Sequence, residues 1–423
     1  MKIGLVTPYI YPLPGGVNAQ VQQLYENLVA RGHDVRIISS THGPQKSSEG
    51  DIIRLGYGWS VPTNGSIGTL TVSHRYGELV NRMLEAERFD LLHFHEPFVP
   101  FLSLQVLRHS TSVNIATFHA YSGWSPSYEF GSRMLQGYAR RLHGRIAVSA
   151  AARHFIERYF PGEYKVIPNG VDLKRFAGVP PFARWHDGTP NILYVGRFES
   201  RKGLMYLLKA YRTLRHRSVD CRLLVVGVGP QERDVRRYIA TRKLVGVELL
   251  GRLSEEDKAR AYATADVFCS PATGRESFGI VLLEAMASGK PIVCSDIHGY
   301  KGVVRRGEQA LLVPPKDADA LADALQTLLS DPALRARMGE SGRARAVQFS
   351  WESITAKVND YYSFVIRRLA AQGMLPPGYH APVPPPARPV SSSEPNAGIE
   401  GAGAGDSTVG SASQPEALAP GPG

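Results

Sequence analysis

Short runs rich in Val, Ile and Leu alternate along this chain with longer stretches whose apolar positions return at helical spacing. Six such runs come first: Ile3 to Val6, Val35 to Ser39, Leu91 to Phe94, Ile115 to Phe118, Arg145 to Val148 and Lys165 to Ile167. Six more follow: Asn191 to Val195, Cys221 to Val226, Val247 to Leu249, Val267 to Cys269, Pro291 to Cys294 and Ala310 to Val313. Strands that are apolar on both faces predict parallel sheets covered by helices, an α/β architecture. Twelve strands overload one open sheet, and the turn-rich stretch from Pro168-Asn169-Gly170 to Gly188-Thr189-Pro190 divides them evenly. Two doubly wound domains are therefore predicted, over residues 1–172 and 173–348. A last helical pattern, Trp351 to Leu369, has no strand behind it, so residues 349–370 are expected to pack back across the first domain. Residues 371–423 hold 11 Pro and 9 Gly, with Ser-Ser-Ser and Gly-Ala-Gly-Ala-Gly runs, and are expected to be a disordered tail from Gly373 onward.

Composition narrows the class. The 423 residues are 43% apolar, enough for real cores, which excludes a wholly disordered or fibrous chain. Cys221, Cys269 and Cys294 are odd in number and each lies in an apolar run, so neither a disulfide framework nor a zinc site is expected. The N-terminal apolar stretch is too short for a signal-peptide core, and no run of apolar residues is long enough to span a bilayer, so a cytoplasmic protein is expected. The net charge is +11; the tail carries −3 of it, leaving +14 on residues 1–370. Such an excess points to an anionic partner: nucleic acid, acidic lipid or a phosphorylated small molecule. The basic residues are scattered without a recognition motif or stacking platform, so no nucleic-acid partner is expected.

Ligands of doubly wound sheets bind beyond the carboxyl ends of the strands, and two such domains facing each other enclose a ligand. The most informative motif runs from Gly274-Arg275-Glu276-Ser277-Phe278-Gly279-Ile280 to Glu284 and Gly289. Small residues at a helix start expose free N–H groups that suit a phosphate, and the helix is expected to begin near Ser277 and end at Gly289. Glu276 and Glu284 then bracket that anion site and accept hydroxyls at opposite ends of one elongated ligand. Simple dipole capping and a solvated face would account for either glutamate alone. After the first strand of the second domain, Gly196-Arg197-Phe198-Glu199-Ser200-Arg201-Lys202 offers Arg197 and Lys202 as cations for a diphosphate, or as plain surface charge. In the first domain, Gly15-Gly16 would let a ligand approach the backbone, or form an ordinary tight turn. His119 ends the fourth strand, and His93 and His95 flank Phe94; the latter pair lacks the further ligands a metal needs, and no metal is expected. The strand ends around Gly227 and Gly251 to Ser254 would face a base, or serve as routine turns. Asp317 and Asp319 read as a helix cap.

Together these residues resemble glycosyltransferase family 4, retaining enzymes of the GT-B fold with two Rossmann-like domains. The resemblance is carried by Gly15-Gly16-Val17, His95-Glu96-Pro97, Phe118-His119, Ile167-Pro168-Asn169-Gly170-Val171-Asp172, Gly196-Arg197 with Lys202, and Glu276 with Glu284. Within the family the chain is most similar to the phosphatidylinositol mannosyltransferases, through Pro8-Tyr9, Val61-Pro62-Thr63-Asn64-Gly65-Ser66 and Glu276 to Glu284. The resemblance implies catalytic roles for His119, Arg197, Lys202 and Glu276. It implies donor contacts from Gly16, Arg197, Lys202, Gly227, Leu253, Glu276, Phe278, Gly279, Ile280 and Glu284, with Glu276 on the sugar and Glu284 on the ribose. Acceptor contacts fall to Tyr9, Asn64 and Ser66. No cofactor beyond the nucleotide-sugar substrate is implied.

Two departures concern the acceptor and the base. Where the lipid enzymes carry a basic cluster, Ser73 to Arg82 is interrupted by Gly77 and Glu78, and Thr69 stands where an arginine is expected. Arg140, Arg141 and Arg145, near Tyr121, Trp124, Tyr128 and Phe130, would restore some attraction to an anionic surface, or form a solvated helix face. Ser254-Glu255 is not the expected acidic arrangement for guanine. The expectation is thus a retaining, metal-independent hexosyltransferase moving mannose from GDP-mannose to a lipid headgroup such as phosphatidylinositol, peripheral on the inner face of the membrane. Its alternatives are a UDP-sugar enzyme with a soluble or polysaccharide acceptor, and a non-catalytic sugar-nucleotide sensor.

Overall fold

The computed structural model describes residues 1–13, 15–41, 50–57, 59–63, 66–70, 76–121 and 124–385, with the backbone alone at 41, 56, 57, 59–63, 66–70, 76, 126 and 127. The first sheet contains β1 (Lys2–Val6), β2 (Asp34–Thr41) and β3 (Ile52–Tyr57); β4 (Trp59–Thr63) and β5 (Ser66–Leu70) form a separate antiparallel hairpin. The sheet continues with β6 (Leu91–His95), β7 (Val113–Phe118), β8 (Gly144–Ala147) and β9 (Lys165–Val166), in the parallel order β3-β2-β1-β6-β7-β8-β9. The second comprises β10 (Asn191–Val195), β11 (Arg222–Val226), β12 (Val247–Gly251), β13 (Val267–Ser270), β14 (Ile292–Ser295) and β15 (Ala310–Val313), ordered β12-β11-β10-β13-β14-β15 and parallel throughout. All twelve strands predicted from the apolar runs are present. The sequence reading missed β3, where Arg54 and Gly56 interrupt an edge strand, and the hairpin, whose Pro62 and Gly68 mask its alternation.

In each sheet the chain order reverses between two neighbours, β1 and β6 in the first, β10 and β13 in the second. A crevice opens outside the strand ends at such a switch point. The two switch points therefore lie at the ends of β1 and β6 in one sheet and of β10 and β13 in the other, the strand ends that carry the glycine and charged motifs. β6 and β7 are buried along their whole length, as expected of strands covered on both sides.

The C-terminal helix Trp351–Ala371 returns to the first sheet: Trp351, Ile354, Val358, Tyr362, Val365, Ile366 and Leu369 join Ile3, Leu5, Val21 and Ile115 in one core. The first part of the tail departs from expectation. Residues 373–385 are held, because Leu375 and Tyr379 pack against that core and Gly378 donates its N–H to the Thr111 carbonyl at 2.9 Å. Asp90 accepts the backbone N–H groups of His380 and Ala381 on one oxygen and that of Lys2 on the other. Averaging over a Pro/Gly-rich composition hid these two apolar anchors.

Candidate active site

Charged residues of the second lobe form an alternating chain. Arg197 pairs with Glu199 at 3.0 Å, Glu199 with Arg201 at 2.9 Å, Arg201 with Glu276 at 2.5 Å, and Lys202 with the same Glu276 oxygen at 2.8 Å. Three cations against two carboxylates leave the cluster net positive. Glu276 is buried, whereas the Arg197 side chain is 55% exposed, so the cationic end faces solvent. Sequence reasoning found Arg197, Lys202 and Glu276 but not Glu199 and Arg201. The signal for those two was the one-turn 3₁₀ helix Ser200–Lys202, which turns neighbouring residues onto one rim. Gly203 closes that turn at φ 75°; a Cβ there would sit 1.8 Å from the Pro271 carbonyl oxygen, so the turn locks against the strand end that leads to Glu276.

Glu276 precedes a helix that begins later than expected. Gly279, at φ 92°, ψ 58°, is the N-cap, and the helix runs Ile280–Ala287 rather than from Ser277. Only a residue tolerant of the left-handed region serves there, and a Cβ would also meet the Tyr300 ring at 2.7 Å. Phe278 is a buried wedge packed 6.1 Å from Phe349, so only its backbone is available to a ligand. The helix starts with free amide donors at the positive end of its dipole, beside three cations.

One turn into this helix, Glu284 is buried and bound by Lys258 Nζ at 2.9 Å and by the Tyr262 hydroxyl at 2.9 Å. Burial lowers the Lys258 pKa, but Glu284 and Glu255 more than offset it, so the ammonium holds its proton more tightly than an ordinary lysine. Lys258 was not singled out from the sequence; its helical position, one turn beyond Ser254-Glu255, was the available cue. Gly227 lies at φ 128° and donates its N–H to the Gly251 carbonyl at 2.7 Å, bringing two strand ends together. Leu253 packs partly buried against the core beside them.

In the first lobe, Gly15 caps the helix Gly16–Val29, and a Cβ on Gly15 or Gly16 would meet no atom of the described residues within 4 Å. That backbone is open to a ligand. Tyr9 follows β1 and receives the Ser39 hydroxyl on its carbonyl at 3.1 Å. Asn64 lies outside the described residues, as does the side chain of Ser66. His119 follows β7, partly exposed, with its ring turned inward onto His95. Glu96 was quoted for resemblance and given no role. It is buried at φ 54° and accepts the backbone N–H groups of His119 and Ala120, both at 2.6 Å, so it fixes the turn that carries His119. Burial raises its pKa to about 7, against the opposing pull of those two hydrogen bonds.

The lobes touch beside this site. Ser149 donates to the Ser277 carbonyl at 2.5 Å. Of the arginines expected near a lipid, two are otherwise engaged: Arg141 binds the Leu107 and Ser110 carbonyls, and Arg145 those of Ala139 and Pro161. Tyr128 is drawn into a cluster with Phe98, Phe155, Tyr159 and Phe160.

Residues 14–175 match the family model described as Glycosyltransferase Family 4, and residues 181–345 match Glycosyl transferases group 1. The chain is 36% identical over 366 residues to the phosphatidyl-myo-inositol mannosyltransferase of Mycobacterium leprae, covering 86% of this chain and 97% of that protein. It is 34% identical over 250 residues to a GDP-mannose-dependent monoacylated alpha-(1-6)-phosphatidylinositol monomannoside mannosyltransferase of Corynebacterium glutamicum, covering 53% and 65%. Among solved structures, sucrose-phosphate synthase from Thermosynechococcus elongatus superposes with a TM-score of 0.71 at 27% identity, over 88% of this chain and 99% of that one. The chain belongs to the family 4 glycosyltransferases, nucleotide-sugar-dependent hexosyltransferases, in the group of the phosphatidyl-myo-inositol mannosyltransferases.

Proposed function

We propose that the protein is a retaining, metal-independent mannosyltransferase that moves mannose from GDP-mannose to the inositol headgroup of phosphatidylinositol. The observation that carries this reading is the cluster of Arg197, Arg201, Lys202 and Glu276 beside an open helix start, with the bare backbone of Gly15-Gly16 on the other lobe. In the reaction an acceptor hydroxyl attacks C1 of mannose as the C1–O bond to the diphosphate breaks. The departing phosphate oxygen takes the acceptor proton, on the same face of the sugar. The protein's main contribution is stabilisation of that developing negative charge. Arg197 and Lys202 bind the diphosphate with the Gly16, Gly279 and Ile280 amides, and Arg201 holds Glu276 aimed at the sugar hydroxyls. Glu284, held by Lys258 and Tyr262, takes the ribose, and Gly227 and Leu253 border the base. Phe278 acts through its backbone, and His119 lies against the sugar. Tyr9, Asn64 and Ser66 meet the inositol.

Glu276→Ala and Lys202→Ala are each expected to reduce transfer at least ~100-fold with the fold intact by circular dichroism. Wild-type turnover in either refutes the roles.

The same reading places the enzyme peripherally on an anionic membrane. Among the described residues no helix is long and apolar enough to cross a bilayer. The helix Pro126–Ala139 follows β7 and so begins on the rim that carries His119. Phe130 and Met134, one turn apart, are 81% and 82% exposed, with Trp124 at 52% and the exposed cations Arg133 and Arg140 alongside. The helix Tyr76–Glu87, by contrast, sets Glu78, Glu85 and Glu87 against Arg82 and repels such a surface. Replacing Phe130 and Met134 together by Asp should weaken cosedimentation with phosphatidylinositol vesicles at least ~10-fold and leave GDP binding unchanged. Unaltered cosedimentation would rule this face out.

A further inference from the structure

His119 is joined to a column of buried imidazoles. Its Nε2 lies 3.0 Å from His95 Nδ1, and the two rings stack with centroids 5.2 Å apart at 20°. His95 stacks in turn on His93, with centroids 4.6 Å apart. His93 is fixed at both nitrogens, Nδ1 to the Tyr362 hydroxyl and Nε2 to Thr117 Oγ1, each at 2.6 Å. Tyr362 belongs to the C-terminal helix, so the column runs from that helix to the cleft rim. His93 and His95 are 1% and 3% exposed.

A phenyl ring would fill the His95 position equally well if packing were its purpose. The imidazole gains one hydrogen bond to protein among the described residues, and it goes to His119. Its Nε2 has no protein partner there and borders a cavity of about 30 Å³, lined also by Gln20, Thr117, Asn169 and Trp351. We propose that His95 is a positioning residue that fixes the tautomer and ring orientation of His119 through their N···N hydrogen bond. This rests on the role given to His119 above. One proton occupies that contact, so one imidazole donates while the other accepts; because the contact joins Nδ1 of one ring to Nε2 of the other, the two neutral rings carry the same tautomer, both Nδ1–H or both Nε2–H. The arrangement needs neutral rings. Burial supplies them, lowering His93 to about 3, His119 to about 4 and His95 well below the ordinary histidine value.

The test compares His95→Phe, His95→Asn and His95→Gln by donor-dependent nucleotide release, with GDP affinity measured by calorimetry. Asn carries its amide near the Nδ1 position and Gln near Nε2. Loss of orientation in the Phe variant should lower kcat by ~30-fold to ~100-fold, while GDP affinity stays within about twofold. Asn should recover most of the loss and Gln little. A Phe variant with wild-type kcat overturns the proposal, as do Asn and Gln variants impaired alike, or a loss that falls on GDP affinity. Should the variants not fold, ¹⁵N-histidine spectra of the wild-type protein decide: the same tautomer is expected for His95 and His119, and opposite ones refute it. Full turnover in His119→Ala would defeat the role assigned to His119 while leaving the tautomer result standing, so the two failures are separable.

Discussion

Glu96 shows how a single residue couples the fold to the site. Its carboxyl is buried, sits in left-handed backbone and accepts two main-chain N–H groups at the turn carrying His119. Because its folded pKa of about 7 lies above the unfolded value of 4.5, it contributes stability in full below about pH 4.5, and that contribution is lost as pH rises through 7. The histidines act oppositely. His93 and His119 have folded values of about 3 and 4 beneath an unfolded 6.5, so acidification below 6.5 destabilises the fold. Glu96→Gln keeps an amide oxygen able to accept both N–H groups and leaves the histidines alone. The wild-type melting temperature should therefore fall, relative to that of Glu96→Gln, between pH 5 and pH 8. Parallel curves for the two proteins would show that Glu96 is ionised throughout.

Elements and their ends decide where the chemistry stands. All twelve predicted strands formed, most of them because apolar runs buried on both faces leave a strong signal, whereas β3 and the β4–β5 hairpin depend on edge and turn chemistry that Gly, Pro and Arg conceal. The donor-loop glutamates were legible for a similar reason, as acids embedded in an otherwise apolar and small-residue stretch. Arg201, Glu199 and Lys258 were not, since their importance comes from partners such as Glu276, 75 residues from Arg201, and Glu284, 26 residues from Lys258. The start of the helix Ile280–Ala287 was misplaced by three residues because Gly279 can adopt a backbone conformation that its neighbours resist. Gly279→Ala should accordingly destabilise the protein by ~1–3 kcal/mol and weaken GDP binding, as read by chemical denaturation and calorimetry. Unchanged values for both would mean that the helix start tolerates a side chain and that its geometry is not required.

At the scale of the molecule, each of the two parallel sheets carries a switch point at the strand ends that bear the site motifs, and the helix Trp351–Ala371 returns the chain to the first sheet. Ser149 makes a hydrogen bond that joins the lobes beside the loop carrying Glu276, and it also caps the helix Ala150–Glu157 through the Ala152 N–H. On the proposed function, the positive body, the exposed Phe130–Met134 face and the net-positive cluster of Arg197, Arg201 and Lys202 serve to draw a phosphorylated sugar donor and an anionic lipid to the same site. The most direct measurement is GDP release from GDP-mannose by purified protein, with and without phosphatidylinositol vesicles. The account predicts release that depends on the lipid and matches, mole for mole, the mannosylated lipid formed. Release indifferent to the lipid, or turnover of a UDP-sugar in place of GDP-mannose, would contradict it.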